Sequence, residues 1–467
     1  MSIDLTQALE TDARIAGHLA RVTFSDLPPR TIEATKASVL DTLACMLAGS
    51  SSQDVAAIGG LVAETGGRPT STVIQGGGVK VPPAQAVLVN GAMVHQFDFD
   101  DTHDLGICHP SSATLPAALA TAEATGASGR DLLTAVALGN DLVCRVALAI
   151  DGGLIDYPWF RAPVVGLFGA TAATAKLLGA SADQHREALG LTLPLISCTR
   201  ASLHHGGSSV RSIRDGLIYR NGVLAAELAM RGVLGDKAVF EGPHGFYPVF
   251  FRGEYDRSKL LDGLGETYEA ERISLKPWPS RRTLHRTITA VLDLMAEHAL
   301  TFEQIESVDV LIGDINRPWC QPVSTGMVPR HRIDLLNNLP FAVGAAIRYG
   351  DVRLPVFLDP ALADEVVLTA VPKVHWIDVG RGEGTAVTEP GHVRVTTTGG
   401  IVHEARSDIP LGNPSRPMTL EQLRRKFIDC AANAVRPIER SRAETIAGMV
   451  TRLETASDIG TLMHLLA

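Results

Sequence analysis

The sequence predicts a mainly α-helical protein with a smaller α+β part. Three observations carry this. Apolar runs of helical length dominate residues 1–235, period-two alternation is confined to residues after about 265, and charged amphipathic helical patterns return after residue 417. The 467 residues are enough for more than one domain at roughly 100–200 residues each. With 45% hydrophobic and 20% charged residues the chain is neither disordered nor fibrous. Its net charge, 42 − 51 = −9, argues against a general nucleic-acid binder.

In chain order, helical segments are expected at 30–48, 83–96, 112–125, 130–150, 163–179 and 220–232. Their apolar residues surround the helix instead of forming one stripe, as in helices buried inside a large helical core. The 163–179 segment is the extreme case, and its near-continuous apolar surface suggests a subunit interface as well. The most apolar stretch, 131–150, still contains Asn140, Asp141 and Arg145, so no membrane span is expected. Met1–Leu5 lacks the basic, then apolar, pattern of a signal peptide, and a cytoplasmic location follows as the expectation.

Residues 305–313 alternate like a strand. Val393, Val395 and Thr397 do the same before a hairpin turn at Thr398, Gly399 and Gly400, with a return strand over Ile401–Ala405. Helical patterns at 283–299 and 337–349 lie between. A Pro/Gly-rich hinge over Pro410–Pro417 precedes Thr419, an N-cap for C-terminal helices. The simplest packing has residues 1–265 and 412–467 forming one helical domain from both chain ends. Residues 266–411 then form an α+β lid.

The densest chemistry lies between Asn90 and Pro116. His95, Asp98, Asp100, Asp101, Thr102, His103, Asp104 and His109 fall within fifteen residues between two apolar helices. Titratable groups pinned against a core have pKa values moved toward catalytic use. A merely solvated acidic loop is the competing reading, but Phe97, Phe99, Leu105 and Ile107 interleave with the acids. Metal ligation is another, though no H-E-x-x-H or comparable spacing supports it. Asp100 and Asp104 are the members expected to hold turns or caps. Ser111 or Ser112 is placed to cap the following helix, with Pro116 in or near its first turn.

A second cluster runs from Arg200 to Gly216. His205 and the Gly206–Ser209 loop precede Arg211 and Arg214, whose forked donors suit carboxylates. A third, Lys276–His285, opens the lid and brings Lys276, Arg281 and His285. Read alone, each is equally a charged loop or a surface helix start. Gly76–Gly78 and the glycines at 380, 382 and 384 lack phosphate-loop or dinucleotide spacing and read as turns. The six cysteines, at 45, 108, 144, 198, 320 and 430, form no C-x-x-C pair.

Asn90, Gly91, His95, the run Asp98–Thr102, His109–Pro110 and Leu115–Pro116 together resemble the signature of the MmgE/PrpD family. That family includes 2-methylcitrate dehydratases, cis-aconitate decarboxylases and iminodisuccinate epimerase. Further pieces follow in family order over roughly residues 10–460: Gly207–Arg211 with Gly216, Glu241–Phe246, Lys276–Ser280, Asn338–Val343 and Pro417–Phe427. The resemblance implies a helical domain with an α+β lid, a homodimer, and metal-free, cofactor-free chemistry on a small polycarboxylate held between the domains. Carried over residue by residue, Asp98, Thr102 and His109 match family site positions. Arg161 stands where decarboxylase-like members place a catalytic His. Arg211 replaces the common site Lys, Phe341 a lid Tyr, and Arg281 a Cys or His.

Arginine stays charged at neutral pH, so these replacements grip carboxylates better than they shuttle protons. The sequence-level expectation is therefore proton removal beside a carboxylate. His109, Asp98, Thr102, His103 and Lys276 are the catalytic candidates. Arg211, Arg161, Arg281 and His205 are the substrate-binding ones, with His205 or His285 as further acid–base candidates. The outcome is a lyase of the 2-methylcitrate dehydratase kind. A dicarboxylate epimerase, a cis-aconitate-type decarboxylase and a non-catalytic carboxylate-binding homologue are the alternatives.

Overall fold

The computed structural model describes residues 4–152, 157–203, 208–320, 332–358, 364–380 and 389–467. The helical part starts with α1 (Leu5–Arg21), α2 (Pro29–Gly49) and α3 (Gln53–Thr65). A two-strand ribbon follows, β1 (Ser71–Thr72) paired with β2 (Lys80–Val81). Next come α4 (Pro83–Val94), α5 (Pro110–Thr125), α6 (Gly129–Leu148), α7 (Arg161–Leu177), α8 (Ala182–Thr192) and α9 (Val210–Met230). Two short helices, α10 (Phe246–Phe251) and α11 (Arg257–Leu261), end this part.

The all-round apolarity of residues 163–179 has its cause inside the chain. Every residue of α7 from Arg161 to Ala175 is buried, and α5, α6, α8 and α9 surround it. α9 begins ten residues before the apolar segment that betrays it, because its first turns carry Arg211, Arg214 and Asp215. α4 and α9 touch through glycine: a Cβ on Gly91 would lie 3.0 Å from the Cα of Gly216, and one on Gly216 would lie 2.1 Å from Leu88 O. That close approach brings the N-terminal turns of α9 beside the C-terminal end of α4.

The lid contains α12 (His285–Glu297), β3 (Ile305–Ile312), α13 (Arg332–Leu336), α14 (Leu339–Tyr349), α15 (Glu365–Ala370), β4 (Val374–Asp378), β5 (Gly391–Thr397) and β6 (Val402–Ser407). The sheet order is β4-β3-β5-β6, parallel between β3 and β4 and antiparallel elsewhere. The alternation at 305–313 and 393–405 matches β3, β5 and β6. β4 escapes pattern reading because it is an edge strand with only Val374 buried. α12 and α14 lie against this sheet, and α16 (Leu420–Ala432), α17 (Arg440–Val450) and α18 (Gly460–Leu466) return to the helical part.

α16 docks on α2 through a buried ion pair. Lys426 Nζ donates to Asp41 Oδ1 (2.6 Å), to Phe99 O (2.8 Å) and to Lys276 O (2.9 Å), and it sits 3.7 Å over the Phe99 ring. One ammonium thus ties the C-terminal return, α2, the acidic loop and the lid start. No helix among the described residues is long and apolar enough to cross a membrane.

Two local expectations are corrected here. α5 starts at Pro110, so Pro116 lies in its second turn and not its first. Neither Ser111 nor Ser112 caps the helix. His109 is the N-cap residue and makes no side-chain cap bond, and the Ser111 N–H donates instead to Asp101 Oδ1 at 3.2 Å.

Removing one partner of a buried, hydrogen-bonded charge pair costs about 3–5 kcal/mol. Lys426→Met should lose about that much in denaturant unfolding, since it strands the Asp41 carboxylate. Lys426→Met with Asp41→Asn should recover part of it.

Candidate active site

The acidic loop joins α4 to α5 and is held by Ser274, Arg282 and Asn413. Thr102 and Ser274 exchange backbone bonds at 2.8 Å, fastening the loop to the lid start. Asp104 accepts both Arg282 Nε and an Arg282 terminal nitrogen at 2.7 Å, with Ser274 Oγ at 2.7 Å and Asn413 Nδ2 at 3.1 Å. Asn90 clamps the β1 ribbon, its Oδ1 accepting from Ile74 N and its Nδ2 donating to Thr72 O, both at 3.0 Å. Asp98 has φ +47°, a left-handed conformation that a short polar side chain tolerates.

Asp98 is the electrostatic centre. Lys276 Nζ reaches its Oδ1 at 2.5 Å and its carbonyl at 2.8 Å, and Arg211 reaches Oδ2 at 2.9 Å. Burial alone would raise this carboxyl. Lys276 above all, then His95 and Arg211, instead hold it well below the usual carboxylate range. A strongly acidic carboxyl is a poor base, and no hydrogen bond joins it to His109 among the described residues. Asp98 is therefore placed to fix Lys276 and Arg211 rather than to orient the imidazole.

His109 is oriented differently. Its Nδ1 lies 2.6 Å from Asp101 O, 3.3 Å from Thr102 Oγ1 and 3.3 Å from Asp100 Oδ2. A backbone carbonyl has no hydrogen to give, so Nδ1 carries it and Nε2 keeps the lone pair. Burial lowers the imidazole pKa to about 4. Lys276 and His95 act in the same direction, and Asp100 and Asp98 oppose them. The ring is neutral at pH 7 and able to accept a proton.

One cavity of ≈ 100 Å³ gathers these groups. Its lining includes His95, Asp98, Thr102, His109, Arg211 and Lys276, with Asp104, Ile107, Phe160, Ala162, Arg281, Arg282 and Thr283 completing the walls. Arg281 stacks 3.8 Å over the Trp319 ring, and its Nε is buried without a hydrogen-bond partner among the described residues. Burial and the neighbouring Arg211 charge lower its pKa to about 9, so it stays cationic at neutral pH. A larger cavity of ≈ 250 Å³, lined by Phe99, Trp278, Arg425 and Lys426, has no imidazole among its described lining residues. Of its cations, Arg425 pairs with Asp351 and Lys426 with Asp41.

Five residues expected at the site from the sequence turn elsewhere. His103 accepts from Gly106 N through Nδ1 (3.0 Å) and meets Glu269 through Nε2 (3.2 Å), which uses both its nitrogens outside the cavity. Arg161 donates to Gly152 O at 2.8 Å and is absent from the described lining, whereas its neighbours Phe160 and Ala162 are present. His285 packs on Trp278 and faces Ser280. Phe341, in the expected lid-tyrosine position, packs edge-on against Phe357. Arg214 stacks on Phe160 and is bonded to Arg211 O. His205 lies outside the described residues.

His95, Asp100 and Asp101 belong to the titratable cluster read from the sequence but not to its catalytic candidates, and Arg282 is not singled out there. The five-residue spacing from His95 to Asp100 spans a helix end, where spacing alone does not reveal proximity. His95, Asp100 and His109 bring potential ligand atoms within 4.8 Å of one another. The Nδ1 of His109 already carries a hydrogen, and the Nδ1 of His95 lies 2.9 Å from Asp100 Oδ1 as its donor. With hydrogen on both Nδ1 atoms, the nitrogens nearest Asp100 are spent on hydrogen bonds, and the two Nε2 atoms are the ones that keep lone pairs.

Fold and cavity together define a two-domain helical protein with a cationic cleft beside a neutral imidazole. The MmgE/PrpD N-terminal domain model matches residues 13–258 and the C-terminal domain model residues 278–453, and the chain belongs to that family. It is 26% identical to a cis-aconitate decarboxylase-like protein of Aspergillus oryzae, over 99% of this chain and 98% of that one. It is also 26% identical to the cis-aconitate decarboxylase of Mus musculus, over 97% and 92%. It is 24% identical to the 2-methylcitrate dehydratase of Cupriavidus necator, over 83% and 84%.

Asp101 yields a stability prediction. Burial raises its pKa to about 8, with Asp41 and Asp100 adding to the shift. The unfolded chain releases this proton near pH 4 and the folded one only near pH 8. Stability should therefore fall as pH rises through that window, by roughly 1.4 kcal/mol per pH unit for one proton. Denaturant titrations at pH 5, 6, 7 and 8 should show Asp101→Asn gaining on the parent protein with each step.

Proposed function

We propose that the protein is a cofactor-independent lyase of the 2-methylcitrate dehydratase kind. It removes the proton beside a carboxylate of a small di- or tricarboxylic acid. The observation that carries the reading is the shared cavity: a neutral imidazole with a free Nε2 beside two neighbouring guanidinium groups, Arg211 and Arg281. Two buried cations that repel each other gain from an anion between them, and forked donors match its oxygens.

In this reading Arg211 and Arg281 hold the substrate carboxylates and stabilise the enolate-like charge as it develops. His109 Nε2 takes the proton from carbon, the C–H electrons form the alkene, and the hydroxyl departs as water with a proton from Lys276. Thr102 hydrogen-bonds the substrate. A cis-aconitate-type decarboxylation finds less support, because Arg161 replaces the histidine of decarboxylase-like members and its guanidinium meets Gly152 O. An epimerase is the second reading, favoured by one observation: His95 puts a second imidazole on the same cavity.

Incubation with citrate, 2-methylcitrate, cis-aconitate and four-carbon dicarboxylates in deuterium oxide tests this. An ultraviolet-absorbing alkene is expected. Carbon-bound deuterium without alkene points to the epimerase, and carbon dioxide release to the decarboxylase. A raised melting temperature with no turnover or exchange would leave only a binding protein. His109→Ala should cost at least about 100-fold in rate with folding intact. Activity should fall as pH drops through about 4, where His109 takes up its proton.

A further inference from the structure

Asp100 is wholly buried, and each of its oxygens faces an imidazole. His95 Nδ1 is 2.9 Å from Oδ1 and His109 Nδ1 is 3.3 Å from Oδ2. The two ring centroids are 5.0 Å apart and tilted by 58°. His95 caps the C-terminal end of α4 and lines the same cavity as His109. Its Nε2 is buried without a hydrogen-bond partner among the described residues. Hydrogen at His95 Nδ1 leaves a lone pair at that orphaned Nε2.

We infer that Asp100 joins His95 and His109 into one proton-holding unit, with Asp100 as the positioning residue and His95 as a second imidazole base of the cavity. A proton entering the unit leaves a substrate C–H bond, whose electron pair stays on carbon, or hydronium in a titration, and forms one N–H bond at Nε2 of one ring; no bond within the unit breaks. An imidazolium at His95 keeps its Nδ1 hydrogen on Asp100 Oδ1, and one at His109 keeps its own on Asp101 O with Asp100 Oδ2 at 3.3 Å; in both cases the Asp100 charge offsets the new positive one. The other ring stays neutral, because two imidazolium groups 5.0 Å apart around one carboxylate would repel each other.

The charges packed around the unit leave this assignment in place. Asp98 on the loop faces both imidazoles but is occupied by Lys276 and Arg211. Asp215 on α9 is set against Arg214, and Asp41 on α2 against Lys426. Asp101 is held protonated at neutral pH by burial and its acidic neighbours. Asp100 is thus the one carboxylate among the described residues placed between the two rings. The use of the unit in turnover rests on the proton-transfer reading above. Its existence does not.

Nitrogen-15 resonances of the histidine rings, in the full chain labelled at histidine and assigned with His95→Gln and His109→Gln, test the unit directly. At pH 7 both rings should carry hydrogen on Nδ1, with His109 neutral. In an acid titration one ring should take up a proton before the other. Asp100→Asn should lower that first step by one pH unit or more. Hydrogen on Nε2 of His95 would overturn the inference, as would a titration that Asp100→Asn leaves unmoved. Equimolar zinc chloride should leave both Nδ1 hydrogens in place, and zinc that displaced them would make the trio a metal site. Should Asp100→Asn not fold, the ring states of the parent protein alone decide. If the unit is present and no polyacid exchanges deuterium, the proton-transfer reading fails while the unit stands.

Discussion

The site depends on burying the Asp98 carboxylate between Lys276 and Arg211. Three charges leave water together, and each is tolerated only because the other two are there. The three side chains come from the loop before α5, the lid start and the first turn of α9. Satisfying one carboxylate therefore fixes three distant segments at once. Lys426 repeats the device beside it, holding Asp41 and the carbonyls of Phe99 and Lys276. The cavity is a by-product of these two ammonium anchors. Moving Asp98, Lys276 or Arg211 out of its wall strands a buried charge.

Much of the fold was legible because burial leaves a periodic trace. α2, α4, α5, α6 and α7 are apolar over most of their length, and β3, β5 and β6 alternate. Elements without such a trace were lost. β4 lies at a sheet edge, and the charged first turns of α9 look like loop. The family models agree with the resemblance read from the acidic loop, which rests on residue identities in order rather than on any period.

The site was legible as a set of residue types and much less as a set of partners. The acidic loop, Arg211, Lys276 and Arg281 meet at one cavity. What sequence spacing could not convey is direction. His103 and His109 are six residues apart, yet one ring turns to Glu269 and the other to the cavity. Asp98 and Asp100 are two apart, yet one is occupied by cations and the other by imidazoles. Side-chain direction in an irregular loop follows from its tertiary anchors, here Ser274, Arg282 and Asn413, which lie 170 or more residues downstream of the Asp104 that they hold.

The reach of Lys426 back to Asp41 spans 385 residues of chain. During synthesis on a ribosome, α2, the loop and the lid start all emerge before α16 does. Until it arrives, Asp41 lacks this cation, and the Phe99 and Lys276 carbonyls lack this donor. A polypeptide that stops short of α16 therefore has the reactive side chains of the loop, the lid start and α9 but lacks the ammonium that ties α2, the loop and the lid start together.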